Sequence, residues 1–157
     1  MTAPPQLATL LYVHDIERDQ LLLIRKKRGI GAGKINGPGG KAHPGETALE
    51  AAVRETQEET GVTPLAPVER GELTFLIADG YALHCHVFLT HSWQGEIHET
   101  AEAIPFWAPA QDLPFAEMWD DDRLWLPLLL AGRRFRGVVT ISTDGQSTTD
   151  RRIEVVD

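Results

Sequence analysis

The amino-acid sequence predicts an α/β fold. Apolar, β-permissive runs recur along the chain, several separated by polar or glycine turn signals that fit hairpins. Residues 48–60 contain no Gly or Pro and are rich in Ala, Glu and Gln, which favours helix. A second stretch, 124–130, reads as a shorter helix preceded by acidic residues. At 157 residues the chain is expected to form one domain, residues 1–157, large enough to bury a core.

The first two strands are expected at 7–13 and 20–25, joined by a polar hairpin over 14–19. Thr9 lies in the first and reads as a strand former. Lys26, Lys27, Arg28 and Gly29 follow. They read as an exposed basic strand end, or as a cation reaching a phosphate or a base. Residues 29–40 hold six glycines, which suggests close backbone approach to a ligand. Asn36 carries both a donor and an acceptor, as base reading needs; an Asn before Gly37 is equally a turn former.

The glycine-rich loop ends at Glu46. Thr47 then fits a helix N-cap, with Glu50 closing a capping box and Gly61 in place for a left-handed C-terminus. Glu55, Glu58 and Glu59 fall at i, i+3 and i+4, so their carboxylates project from one side. Like charges so placed weaken a helix, and a hard divalent cation would offset the repulsion. Arg54, one turn before Glu58, can hold a carboxylate in place. Ala48, Ala51 and Ala52 are small enough to let the helix approach a sheet closely.

Strands are expected at 69–78 and 81–90 around the turn signal Asp79-Gly80. His84 and His86 share a face of the second, and Cys85 points the other way. Zinc binding by His-x-His needs further ligands that the sequence does not place, so these read as strand histidines. Residues 94–102 are polar and acidic. They form a solvated loop, or Glu99 or Glu102 completes a metal shell from outside the helix. Residues 105–107 begin another short apolar segment.

Asp120, Asp121 and Asp122 stand between Trp119 and Trp125. Carboxylates beside apolar rings are desolvated and disfavour each other's ionisation, so a pair can share one proton and titrate as a unit. Such a pair both donates to and accepts from a purine edge, with Trp119 stacked on the ring. The same residues also fit a helix N-terminus. Residues 132–135 read as the basic end of that helix. A closing strand pair, 138–142 and 152–156, flanks Asp144-Gly145, and nothing there suggests chemistry.

Net charge is −8, with no basic cluster large enough to grip a nucleic-acid backbone, so a polymer substrate is disfavoured. An acidic protein that handles a phosphorylated small molecule needs a metal to bridge like charges. Cys85 is the only cysteine, which precludes an internal disulfide. With no leader-like N-terminus and no membrane-length apolar run, the expected compartment is cytoplasmic.

The spacing of Gly40, Glu46, Arg54, Glu55, Glu58, Glu59, Gly61 and Val62 resembles the Nudix box of MutT-type pyrophosphohydrolases. Thr56 departs, where that family has a large aliphatic residue. Lys26 to Gly29, Gly31 to Gly33, Asn36-Gly37, Pro114-Phe115, Met118-Trp119, Asp121-Asp122 and Trp125 to Leu130 are similar to the branch of MutT homologues that hydrolyse oxidised purine nucleoside triphosphates such as 8-oxo-dGTP. The resemblance implies an α/β/α sandwich with a central mixed sheet. It implies Mg²⁺, or Mn²⁺, held by Glu55, Glu58, Glu59, the Gly39 carbonyl and Glu102. It implies catalysis by Glu59, with Glu58 or Glu102 as rival bases and Arg54 and Glu55 in support. It implies a base pocket of Thr9, Lys26, Asn36, Phe75, Trp119, Asp121 and Asp122. Ile30 and Pro38 stand where that branch has phenylalanines, and Asp120 where it has proline, so this pocket wall is less aromatic and more acidic. The expected partner is a small nucleotide, with no nucleic-acid polymer or membrane, and the expected state is a monomer. Alternatives are another nucleotide (a dinucleoside polyphosphate, ADP-ribose or an ordinary NTP) or a non-catalytic nucleotide sensor.

Overall fold

The computed structural model describes residues 5–29, 31–77, 80–145 and 147–157. Ile30, Ala78 and Asp79 lie outside them, so the wall position at Ile30 and half of the Asp79-Gly80 turn signal are not described.

The strands are β1 (Gln6–Asp15), β2 (Gln20–Lys26), β3 (Ile35–Asn36), β4 (Gly39–Lys41), β5 (Thr63–Leu65), β6 (Val68–Ile77), β7 (Ala82–Thr90), β8 (Ser92–Gln94), β9 (Ala103–Pro109), β10 (Phe135–Ile141) and β11 (Thr148–Val155). The helices are α1 (Ala48–Thr60) and α2 (Asp122–Leu130), the second preceded by a 3-10 turn, Phe115–Glu117. The main sheet runs β11-β10-β6-β7-β1-β2-β3, with β4 added to β1 and β9 to β2; β5 and β8 pair separately. Parallel pairing of β1 with β7 and of β10 with β6, among antiparallel neighbours, makes the sheet mixed.

The expected β1–β2 hairpin exists, but its ladder is only His14↔Leu21 and Asp15↔Gln20. Upstream, β1 leaves β2 and takes β7 on one side and β4 on the other. That divergence opens the sheet beside the glycine-rich segment. β3 and β4 lie inside the segment expected to be loop. Gly132, Arg133 and Arg134 follow α2 rather than ending it, and Phe135 already belongs to β10.

Side-chain alternation sorts the core into two layers. Tyr12, Leu21, Leu23, Cys85 and Val87 pack with Trp125, Leu126 and Leu129 of α2. Leu11, Val13, Leu22 and Phe88, their neighbours in sequence, pack on the other face with Ala52 of α1. The architecture is therefore an α/β/α sandwich. Burial of each such leucine contributes roughly 1.5–3 kcal/mol. Trp125 is fully buried, stacked on Phe135 at 5.5 Å and edge-on to Tyr12 at 5.9 Å.

Local chemistry fixes α1 as expected. The Glu50 N–H donates to Thr47 Oγ1 at 3.1 Å and the Thr47 N–H to Glu50 Oε1 at 3.0 Å. Gly61 ends the helix at φ +84°, where any Cβ would also meet the His98 ring at 2.1 Å. Ala51 and Ala52 are fully buried, which lets α1 lie close on β1 and β4. Thr56 is buried too, its hydroxyl donating to the Ala52 carbonyl at 2.8 Å. Among the described residues no helix is long and apolar enough to cross a membrane.

Candidate active site

One cavity of about 620 Å³ runs between the N-terminal part of β1, the glycine-rich segment and the approach to α2. Glutamates of α1 border one end and aspartates at the start of α2 the other.

At the α1 end, β4 is pinned to β1 by Thr9↔Gly40 and Leu10↔Gly39. The Gly39 N–H donates to Glu59 Oε1 at 2.7 Å. A Cβ on Gly40 would stand 2.8 Å from the Glu55 carboxyl carbon, so only glycine admits that carboxylate against the strand. Glu59 is 5% exposed. Burial pushes its carboxyl up to about 8; the Gly39 N–H counteracts this and the Glu55 charge adds to it. Glu55 is raised as well, chiefly by burial, against the pull of Arg54.

Arg54 organises this end. It forks onto Glu46, Nε to Oε2 at 2.7 Å and Nη2 to Oε1 at 3.0 Å. Its Nη1 donates to Glu55 at 3.0 Å and to Glu58 at 3.1 Å. The Arg54 bonds, with the His43 N–H, hold Glu46 down at about 2. Glu58 is half-exposed and does not border the cavity, whereas Glu55, Glu59 and Glu102 do. Glu102 is bound by Arg28, whose Nε lies 3.2 Å from Oε2 and whose Nη2 pairs with Oε1. Glu99 instead pairs with Lys27. An oxygen-only donor set of carboxylates and the Gly39 carbonyl suits a hard divalent cation. Glu59 fits it further, since a cation there would favour the ionised form that burial opposes.

At the other end Asp121 and Asp122 are 1% and 5% exposed. Asp121 Oδ2 accepts from Trp125 Nε1 at 2.8 Å, so this side chain turns along the helix instead of capping it. Burial raises both carboxyls, Asp122 far above its ordinary value, and the charges of Asp121 and Asp120 add to the shift of Asp122. Asp121 Oδ1 and Thr148 Oγ1 are buried with no hydrogen-bond partner among the described residues, and both residues line the cavity. The Thr148 N–H donates to Asp120 Oδ2 at 3.4 Å, which ties the start of β11 to the aspartate run.

Thr9, Lys26, Asn36, Phe75, Trp119, Asp121 and Asp122 all line this one cavity. Thr9 is buried, its hydroxyl directed at the Gly40 carbonyl at 3.5 Å. Asn36 Nδ2 donates to the Lys34 carbonyl at 3.3 Å. Trp119 is backed by Gly31, and the Lys34 ammonium lies 5.1 Å from the ring centroid. The closing strands, read from sequence as free of chemistry, do reach the cavity through Ile141 and Thr148. No local signal marks Thr148: β10 must dock parallel to β6 before β11 can bring it there. Glu46, the main partner of Arg54, was legible only as a motif position.

Residues 4–129 match the NUDIX domain family. The chain is 41% identical over 133 residues to the oxidized purine nucleoside triphosphate hydrolase of Danio rerio, covering 84% of each protein. It is 37% identical to that of Mus musculus over 133 residues, again 84% of each. A crystal structure of a mutator MutT protein from Bacillus halodurans superimposes with TM-score 0.81 at 26% identity, covering 95% of this chain and 97% of that one.

Proposed function

The chain belongs to the Nudix family, and we propose from that premise that it hydrolyses purine nucleoside triphosphates with an oxidised base, releasing a nucleoside monophosphate and pyrophosphate. The observation that carries the reading is the continuity of one cavity from the α1 carboxylates to the buried, partner-poor aspartates before α2. A triphosphate needs the first end and a purine edge the second.

The family works with a divalent metal; here Glu55, Glu58, Glu59, Glu102 and the Gly39 carbonyl would hold it, with Mg²⁺ as the proposed ion. When bound, the ion neutralises phosphate charge and makes a water more acidic. Glu59 takes the proton of the attacking water. The water oxygen bonds to a phosphorus of the α–β diphosphate linkage as the bond from that phosphorus to the bridging oxygen breaks, in line, and the bridging oxygen departs with the leaving product. Arg54 holds Glu55 and Glu58 in place and keeps Glu46 ionised. Lys26, at the cavity wall, supplies positive charge to the nucleotide.

At the base end, burial raises the carboxyls of Asp121 and Asp122, Asp122 the further, so the pair can share a proton and offer a donor and an acceptor together. An oxidised purine presents an altered pattern of N–H and C=O groups, which such a pair can match. Trp119 and Phe75 supply the apolar walls. Asp121 Oδ1 and the Thr148 hydroxyl are the polar atoms most in need of a ligand. Mg²⁺-dependent pyrophosphate release across a panel of normal and oxidised triphosphates tests the reading. Selective turnover of oxidised purines supports it, and no release from any triphosphate overturns it.

A further inference from the structure

We propose that Glu72, His84 and His86 form a second metal site, for a divalent transition metal such as Zn²⁺, on the outer face of β6 and β7. None of the three borders the cavity that runs to α1. His84 and His86 are two residues apart on β7, so both rings stand on one face, with centroids 4.9 Å apart. Glu72 lies directly across the ladder from His86, on the same face. One ligand atom from each of the three falls within 4.8 Å of the others. His84 Nε2 is already 3.7 Å from Glu72 Oε2. Ligand atoms around a tetrahedral zinc sit roughly 3.3–3.5 Å apart, as follows from Zn–N and Zn–O bonds of about 2.0–2.2 Å. Small rotations of partly exposed side chains close the remaining gap.

The strand carries a device that serves this cluster. Residues 69 and 72 differ by three, so on a regular strand their side chains would point to opposite faces. The register shifts between Glu69 and Gly71, and this bulge returns Glu69 to the face of His86. Glu69 there bonds His86 Nδ1. A carboxylate on one imidazole nitrogen fixes the tautomer and leaves Nε2 as a basic ligand atom, the usual support of a metal-binding histidine. Arg136, the β10 neighbour of Glu72, is engaged by Glu154 at 3.1 Å. Two nitrogens and one carboxylate, with a position left for water, match zinc and its neighbours better than Mg²⁺, which prefers oxygen ligands. An ion here would clamp β6 to β7, and binding would raise the stability of the folded chain.

The test uses the full chain, stripped of metal and returned to Mg²⁺ so that the α1 carboxylates are occupied. Co²⁺ alone and Zn²⁺ alone are then titrated. Co²⁺ is expected to give the visible absorption of a nitrogen-containing site at one equivalent, and Zn²⁺ to displace it and raise the melting temperature. His84→Ala and His86→Ala should each weaken binding at least ~10-fold, and Glu69→Gln by roughly 10-fold to 100-fold. Melting curves in Mg²⁺ alone confirm that each variant is folded; His84→Gln replaces any that is not. Absence of binding, or equal affinity and spectrum in both histidine variants, overturns the site. An unchanged Glu69→Gln removes Glu69 from it.

Discussion

Both ends of the cavity bury carboxylates, and the ends differ in what stands beside those groups. At α1, Arg54 bridges Glu46, Glu55 and Glu58, and a backbone N–H meets Glu59. Before α2, a Trp125 N–H is the side-chain donor that Asp121 obtains, and the charges of Arg151 and Lys34 oppose burial only as minor causes. Countercharge keeps Glu46 ionised, whereas burial raises Glu55 and Glu59, whose ionised forms a bound cation would favour. Burial raises both aspartate carboxyls and so favours the protonated form that a base edge can use. The neighbouring groups, more than residue type, separate an end suited to phosphates from one suited to a purine.

The most severe way to break the first end is Glu59→Gln. It keeps the shape and removes the proton acceptor, and turnover is expected to fall on the order of 10²–10⁴-fold. Circular dichroism should remain that of the parent chain; near-normal turnover would remove Glu59 as the base. Arg54→Ala tests the countercharge instead. It releases Glu55 and Glu58 and leaves Glu46 without its fork, and kcat should drop on the order of 10²-fold through misplacement. Arg54→Lys should recover little, because an ammonium cannot fork onto Glu46.

The smaller effects set Asp122 against Glu46, whose shifts give pH slopes of opposite sign. Asp122 has a raised carboxyl, so above about pH 3.9 the folded state holds a proton that the unfolded state has lost. Its contribution to stability therefore falls as pH rises toward neutrality. Urea midpoints measured across that range should fall less in Asp122→Asn than in the parent; an equal fall would show that Asp122 is not protonated. Glu46 is depressed to about 2, so its contribution is present above the ordinary carboxyl value and is lost as pH falls toward 2. Glu46→Gln should remove that part of the acid limb. An unaltered acid limb would mean the Arg54 fork adds nothing in solution.

What the sequence made legible was local. Thr47, Glu50 and Gly61 announce α1 because their bonds lie within one turn. The facing of Glu55 and Glu59 into the cavity fits the helical period, whereas Glu58 of the same turn lies outside its lining. β3, β4, β5 and β8 span two or three residues each and exist only through their partners, so no periodicity could reveal them. Thr148 reaches the cavity only because β10, the partner of β11, docks parallel to β6, which is distant in sequence. The Glu69 face depends on a bulge, which reverses the parity that simple alternation gives.

The measurement that bears most directly on the division of labour is kcat/KM for 8-oxo-dGTP against dGTP, in the parent chain and in Asp121→Asn. The parent should favour the oxidised base, and the variant should lose most of that preference while still releasing pyrophosphate in Mg²⁺. An identical ratio in both proteins would contradict base reading by the buried aspartates.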